Sequence, residues 1–201
     1  MKRYIVHVIA CVLVLSSSAF ALTGEEAVRG MQQRLSAVSR ISGVISITYA
    51  TGETMTGSFV YARPNKLHIK FSNPSGKEVV TNGRKLWVYS PSSKICGSQD
   101  LDPGLSGGLG AVVNGYPAIM TSQRSDGYTV KLKDDTKHYS EIQLGLSRDF
   151  FPEKMVFRTS DGKGFTIILT NINFSPRVID SFFDFNVPSN CQVVKNPLNI
   201  K

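Results

Sequence analysis

Two hydrophobic periods divide the chain near Gly43. Before it, Ala27, Met31, Leu35 and Val38 recur at helical spacing while Arg29, Gln33 and Arg34 fall on other faces, so one stripe is built to lie on an apolar surface. Thr23 and Glu26 head this stripe as an S/T-x-x-E pair, in which hydroxyl and carboxylate each cap the other's backbone N–H. A helix is predicted to start there and to end near residues 39–42.

After Gly43 the period becomes 2. Stretches rich in β-branched and aromatic residues predict strands at 44–49, 54–62, 66–72, 78–81 and 85–89, and a second series at 128–133, 139–146, 154–158, 165–174 and 181–187. Thr51-Gly52, Arg63-Pro64-Asn65, Asn73-Pro74-Ser75-Gly76 and Asn82-Gly83 supply turn chemistry between members of the first series. Connections this short make the strands antiparallel neighbours. About ten or eleven strands are expected in all.

Residues 102–120 lie between the two series. They are too apolar for a solvated loop and too rich in glycine for a rigid helix. Two readings stand: a mobile apolar lid of one or two short helices with glycine hinges, or a loop covering one end of the sheet.

The N-terminus changes the picture of where such a sheet works. Met1-Lys2-Arg3, an apolar run over residues 4–15 and Ala19-Phe20-Ala21 describe a cleavable secretory signal, leaving a mature domain from Leu22. The apolar run is too short to span a bilayer comfortably. Val8-Ile9-Ala10-Cys11 weakly resembles a lipidation box, but little apolar sequence precedes Cys11. Loss of Lys2 and Arg3 lowers the formal net charge from +8 to +6. The basic residues Lys66, Lys70, Lys131 and Lys133 are scattered through strands, which suits a solvated face and weak attraction to anionic membranes better than a nucleic-acid stripe. Cys96 and Cys191 remain in an oxidising compartment, where a disulfide and two thiols distant in space are both open.

Catalytic chemistry is not evident. The mature chain keeps His68 and His138, each with polar neighbours; neither H-x-x-x-H nor C-x-x-C occurs, and G-x-S-x-G is absent. The glycine run lacks the G-K-[ST] ending of a phosphate loop. No enzyme activity, metal or cofactor is expected. What the strands supply is apolar surface. Leu67, Ile69 and Phe71 share a face, as do Trp87 and Tyr89, and Phe165, Ile167 and Leu169; Ile168 and Ile172 are expected opposite that last group. One short helix cannot cover so much, so the sheet either closes on its own side chains or curls around a space for an apolar ligand.

The order of these features resembles the outer-membrane lipoprotein carrier family, LolA. The resemblance rests on an amphipathic helix after a signal, and on G-x-F/L-x-x-x-R-P-x-x-L-x-I-x-F-x-x-P, met by Gly57 through Pro74. It continues in the segment Val79 or Val80 through Asn82-Gly83-Arg84-Lys85-Leu86-Trp87-Val88-Tyr89-Ser90-Pro91 and in Phe183-Asp184-Phe185-Asn186-Val187-Pro188. It implies a mainly β fold: an incomplete antiparallel β-barrel with an N-terminal helix and a short helical lid over its concave face. It further implies a periplasmic, monomeric carrier that takes acylated lipoproteins from an inner-membrane lipoprotein-releasing ABC transporter to an outer-membrane acceptor or directly to the membrane, with no nucleic-acid partner. A carrier of free lipid or glycolipid, and an anchored acceptor, are the alternative readings. On this resemblance the expected apolar cavity comprises Met31, Leu35, Leu67, Ile69, Phe71, Trp87, Tyr89, Leu105, Leu109, Ile119 and Met120. Arg63 is expected to latch the barrel rim to lid carbonyls, since a guanidinium satisfies several acceptors at once. The glycine content of 104–110 and the cysteine pair depart from the family pattern, and the short tail after Val194 leaves little chain for a final strand.

Overall fold

The computed structural model describes residues 22–101, 110 and 112–195. The predicted signal with Cys11, and Leu105 and Leu109 of the predicted cavity, lie outside them. Among the described residues, the helix α1 (Gly24–Ala37) precedes twelve strands in a single open sheet.

The helix begins where the capping box places it. The Glu26 amide donates to Thr23 Oγ1 at 3.2 Å, and the Thr23 amide donates to Glu26 Oε2 at 2.8 Å. The Thr23 amide bond, and after it a 3.1 Å bond from the Thr23 hydroxyl to the same oxygen, hold the Glu26 carboxyl below its usual range. Ala27, Val28 and Met31 are buried.

The first series forms β1 (Arg40–Tyr49), β2 (Thr54–Ala62), β3 (Lys66–Asn73), β4 (Glu78–Asn82), β5 (Lys85–Ser90) and β6 (Ile95–Asp100). The second forms β7 (Ala118–Gln123), β8 (Gly127–Lys133), β9 (Glu141–Ser147), β10 (Pro152–Arg158) and β11 (Gly164–Asn173), and β12 (Gln192–Lys195) closes the list. The sheet order is β12-β6-β5-β4-β3-β2-β1-β11-β10-β9-β8-β7, with β1 pairing both β2 and β11 to join the two series. All ladders are antiparallel except β12 on β6. Among the described residues β7 and β12 stand at the two edges and do not pair, so the barrel is incomplete.

Three strands differ from expectation. Ile95–Asp100 has little β-branched character, yet β5 pairs it residue for residue from Lys85↔Asp100 to Ser90↔Ile95. The first half of Ala118–Gln123 falls within the stretch read as lid or loop, and the tail strand β12 exists because it lies along β6. Conversely, the strand predicted over 181–187 is absent: Asp180–Phe183 is a 3-10 turn inside an extended strap that crosses the sheet instead of joining it.

Cross-strand register assigns every side chain to a face. Ile69 is paired with Phe59 and Val79, and the same face carries Ile45, Leu169, Met155, Leu144 and Val130 along successive ladders. A bulge adjusts this face. Gly43 alone opposes Asn171 and Ile172, and the left-handed φ of 52° at Asn171 brings Ile172 onto the Leu169 side, where it joins the core instead of lying opposite as expected. A Cβ on Gly43 would come within 2.7 Å of the Thr170 carbonyl oxygen and 2.8 Å of the Ile172 side chain, which is why glycine suits the site.

Candidate functional site

The apolar face holds two linked clusters. In one, Ala27, Val28 and Met31 of α1 pack on Val130, Leu132, Ile142, Leu144, Leu146, Met155 and Phe157. In the other, Val38, Ile41, Ile45, Phe59, Ile69, Phe71 and Phe151 pack together over β1–β3. Leu35, Ile167 and Leu169 touch both, so the apolar surface runs without a break from β8 to β3. α1 fits closely at its first turns: a Cβ on Gly24 would meet the Ala118 carbonyl at 2.4 Å, and one on Gly30 would meet the Phe150 ring at 2.8 Å.

The expected cavity residues divide between the two faces of the sheet. Met31, Leu35, Leu67, Ile69, Phe71 and Met120 belong to the face carrying α1. Trp87 does not: it is paired with Val80, which pairs with His68, the residue whose side chain opposes Leu67 and Ile69 across the strand. Tyr89 follows Trp87 through Glu78, and Ile119, paired with Lys131, also turns away and is 64% exposed. These three share no space with Ile69. The reason is the period of two: same-face residues on one strand are readable from alternation, but faces on different strands are related only through register.

Trp87 and Tyr89 instead lie under the strap. The Phe185 ring sits 5.4 Å from Trp87 and 6.0 Å from Tyr89, Phe183 is 2% exposed, and the Phe182 ring is 4.8 Å from His68. The strap is fastened by Lys66 to Asp180 at 3.1 Å, by a 3.0 Å contact between His68 Nδ1 and the Phe182 carbonyl, and by a Cys96–Cys191 disulfide. Cys96 shares the Tyr89 face, so the bridge pins the strap's far end before β12 aligns on β6.

Arg63 is expected to hold carbonyls of the glycine-rich lid; among the described residues it bonds the end of α1 instead. Its Nη1 donates to the Ser36 carbonyl in the last turn of α1, and its amide donates to the Ser39 carbonyl at 2.9 Å. Other polar links also reach the helix. Arg34 Nε donates to Asp149 Oδ2 at 2.9 Å with its guanidinium 4.3 Å from the Phe174 ring centre, and Gln32 Nε2 donates to the Gly110 carbonyl at 3.2 Å and to Asn114 Oδ1 at 2.6 Å. The Ser147 hydroxyl bond, followed by Arg34, holds the Asp149 carboxyl below its usual range. Gly110 and Asn114 belong to the glycine-rich connection, Val113 is buried against α1's cluster, and residues 102–109 lie outside the described residues. Sequence alone did not single out Gln32, Arg34 or Ser36 as helix fasteners, because the first two find partners 78 and 115 residues away and the third takes part only through its backbone carbonyl, which accepts from the Arg63 guanidinium.

Two open hollows, of about 420 and 500 Å3, lie elsewhere, and neither is lined by an expected cavity residue. Among the described residues no three His, Cys, Asp or Glu side chains gather to hold a metal ion, and no helix is long and apolar enough to cross a membrane.

A family model described as "Outer membrane lipoprotein carrier protein LolA" matches residues 44–186. Curated relatives named outer-membrane lipoprotein carrier protein include one from Legionella pneumophila (strain Lens), 22% identical over 91% of this chain and 95% of its own length. Another, from Pasteurella multocida (strain Pm70), is 23% identical over 90% of this chain and 91% of its own length. Among solved structures, an uncharacterized conserved protein from Thermus thermophilus is similar in fold, with a TM-score of 0.59 at 12% identity over 86% of this chain and 98% of that one. The MucA/MucB complex of Pseudomonas aeruginosa also contains a similar fold, with a TM-score of 0.53 at 14% identity, covering 82% of this chain and 63% of that one.

Proposed function

Because this chain belongs to the outer membrane lipoprotein carrier family LolA, we propose that it carries the acyl chains of lipoproteins through the periplasm on the α1-bearing face of its sheet. The observation that carries this reading is the unbroken apolar face from β8 to β3, covered by α1, whose C-terminal half is held by polar contacts. Leu35, Leu67, Ile69, Phe71 and Met31 are the residues we assign to acyl contact, with Met120 at the β7 side; Trp87, Tyr89 and Ile119 are left out because they face the other way.

An acyl chain cannot cross water unaided, since each methylene moved out of water is worth roughly 0.8 kcal/mol. Entry between helix and sheet would replace helix contacts with acyl contacts. Loading is then an exchange of similar apolar areas, close enough to balance that release remains accessible. Arg63, by holding the α1 end, sets how readily the helix lifts. A secretory signal over residues 1–21 would bring the chain to the periplasm. There an inner-membrane lipoprotein-releasing ABC transporter would load it, and an outer-membrane acceptor or the membrane itself would receive the cargo.

Mixing the purified protein with a triacylated lipoprotein in detergent-free buffer tests this. A soluble complex on gel filtration is expected; a lipoprotein that aggregates equally with and without the protein overturns the reading. Mass spectrometry of natively bound material then separates lipoprotein from free lipid or glycolipid by whether polypeptide accompanies the acyl chains.

A further inference from the structure

At the rim where β1 begins and β11 ends, an open hollow of about 500 Å3 lies between Arg40 and the start of the strap, with Arg177 and Ile179 on its other wall. Both arginines are exposed. Among the described residues neither guanidinium stands in an ion pair; the adjacent acid, Asp180, is already held by Lys66 at 3.1 Å. Ser39 and Ser175 add hydroxyls to the lining, and Phe174 adds an apolar floor. Ile179 is 74% exposed, more than any other large hydrophobic residue among those described. Its position is ordered by the backbone: its carbonyl accepts from the Phe182 amide at 3.1 Å as the 3-10 turn begins.

A single exposed isoleucine is ordinary. Two cations without acid partners around one hollow, with the most exposed apolar side chain on the same wall, form an amphipathic combination suited to the boundary between headgroups and acyl chains. We propose that this rim docks the protein on an anionic bilayer surface, with a lipid phosphate between Arg40 and Arg177 and the Ile179 side chain entering the acyl boundary. The basic charge of the whole chain favours the approach. Docking here sets the bilayer beside the last turn of α1, because the Ser39 carbonyl lining the rim accepts from the Arg63 amide and Ser36 accepts from its guanidinium. This surface does not depend on what the apolar face carries.

Flotation of purified protein with cargo-free vesicles tests the proposal. Vesicles of phosphatidylcholine with about a third phosphatidylglycerol should bind the protein at low salt, and binding should fall as salt screens the charge. Arg40→Gln with Arg177→Gln should weaken partitioning about thirtyfold, and Ile179→Ser about tenfold, each with an unchanged circular dichroism spectrum. Lys133→Gln with Lys163→Gln removes equal charge from the end of β8 and the turn before β11, at the other end of the strands, and should leave binding near wild type. The proposal is overturned if wild-type protein ignores anionic vesicles, if neutral vesicles bind it equally, or if the control pair loses as much as the arginine pair. Displacement of the protein from vesicles by millimolar inorganic phosphate would overturn it in favour of a free-anion site.

Discussion

Arg63 bonds the carbonyl of Ser36, tying the turn between β2 and β3 to the last turn of α1. The last carbonyls of a helix have no intrahelical partner, and the helix dipole concentrates negative charge there, so a guanidinium satisfies both. Pro64 shapes the turn; Arg63 connects the turn to the helix that covers the apolar face.

Arg63→Leu should therefore fold and lose only about 1 kcal/mol of stability, the usual scale for one hydrogen bond to a partly solvated carbonyl. Amide exchange should quicken in the last turn of α1 and not in β8 or β9. In lipoprotein transfer, cargo should be accepted and then poorly released, because the covering helix no longer returns cooperatively to its place. A transfer rate equal to wild type would remove the latch from the account.

The Cys96–Cys191 bridge closes a segment of sequence separation 95 over the face opposite α1. Its removal by Cys96→Ser with Cys191→Ser should cost about 2–5 kcal/mol in urea unfolding. Trp87 reports the local consequence: as Phe185 leaves its ring, the fluorescence of the single tryptophan should move to longer wavelength. An unshifted spectrum would mean that the strap stays in place without the bridge.

Glu141 sits between Lys131 at 2.5 Å and Arg158 at 2.9 Å. The Lys131 hydrogen bond, outweighing desolvation and helped by both positive charges, holds its carboxyl below the usual range. Its contribution is present above the unfolded-state value and is lost as pH falls through the lowered folded value. Glu141→Gln should be about 1 kcal/mol less stable than wild type at pH 7, and the difference should shrink below about pH 4. A gap that widens on acidification would show that another carboxylate controls the acid limb.

Much of the fold is legible in the residues themselves. The capping box places the start of α1, and β2 falls on residues 54–62 because turn chemistry bounds it on both sides. The strands that composition does not reveal, β6, β7 and β12, owe their extended form to partners. The strap reads as a strand because Phe183 and Phe185 alternate as strand residues do, yet they are inserted into the sheet's far face. The expected apolar lining is half legible for the same reason. Alternation groups Leu67, Ile69 and Phe71 correctly, but nothing local to Trp87 reveals that register turns it to the other side.

The proposed assignment of acyl contact to the α1-bearing face is tested most directly by one measurement. Tyr61 shares the Leu67 face, whereas Tyr89 lies on the opposite one, and both are half-buried. A photoreactive phenylalanine analogue placed at either position, in protein loaded with a triacylated lipoprotein, should crosslink to cargo on irradiation from position 61 and not from position 89. Crosslinking from position 89 with none from position 61 would contradict the assignment.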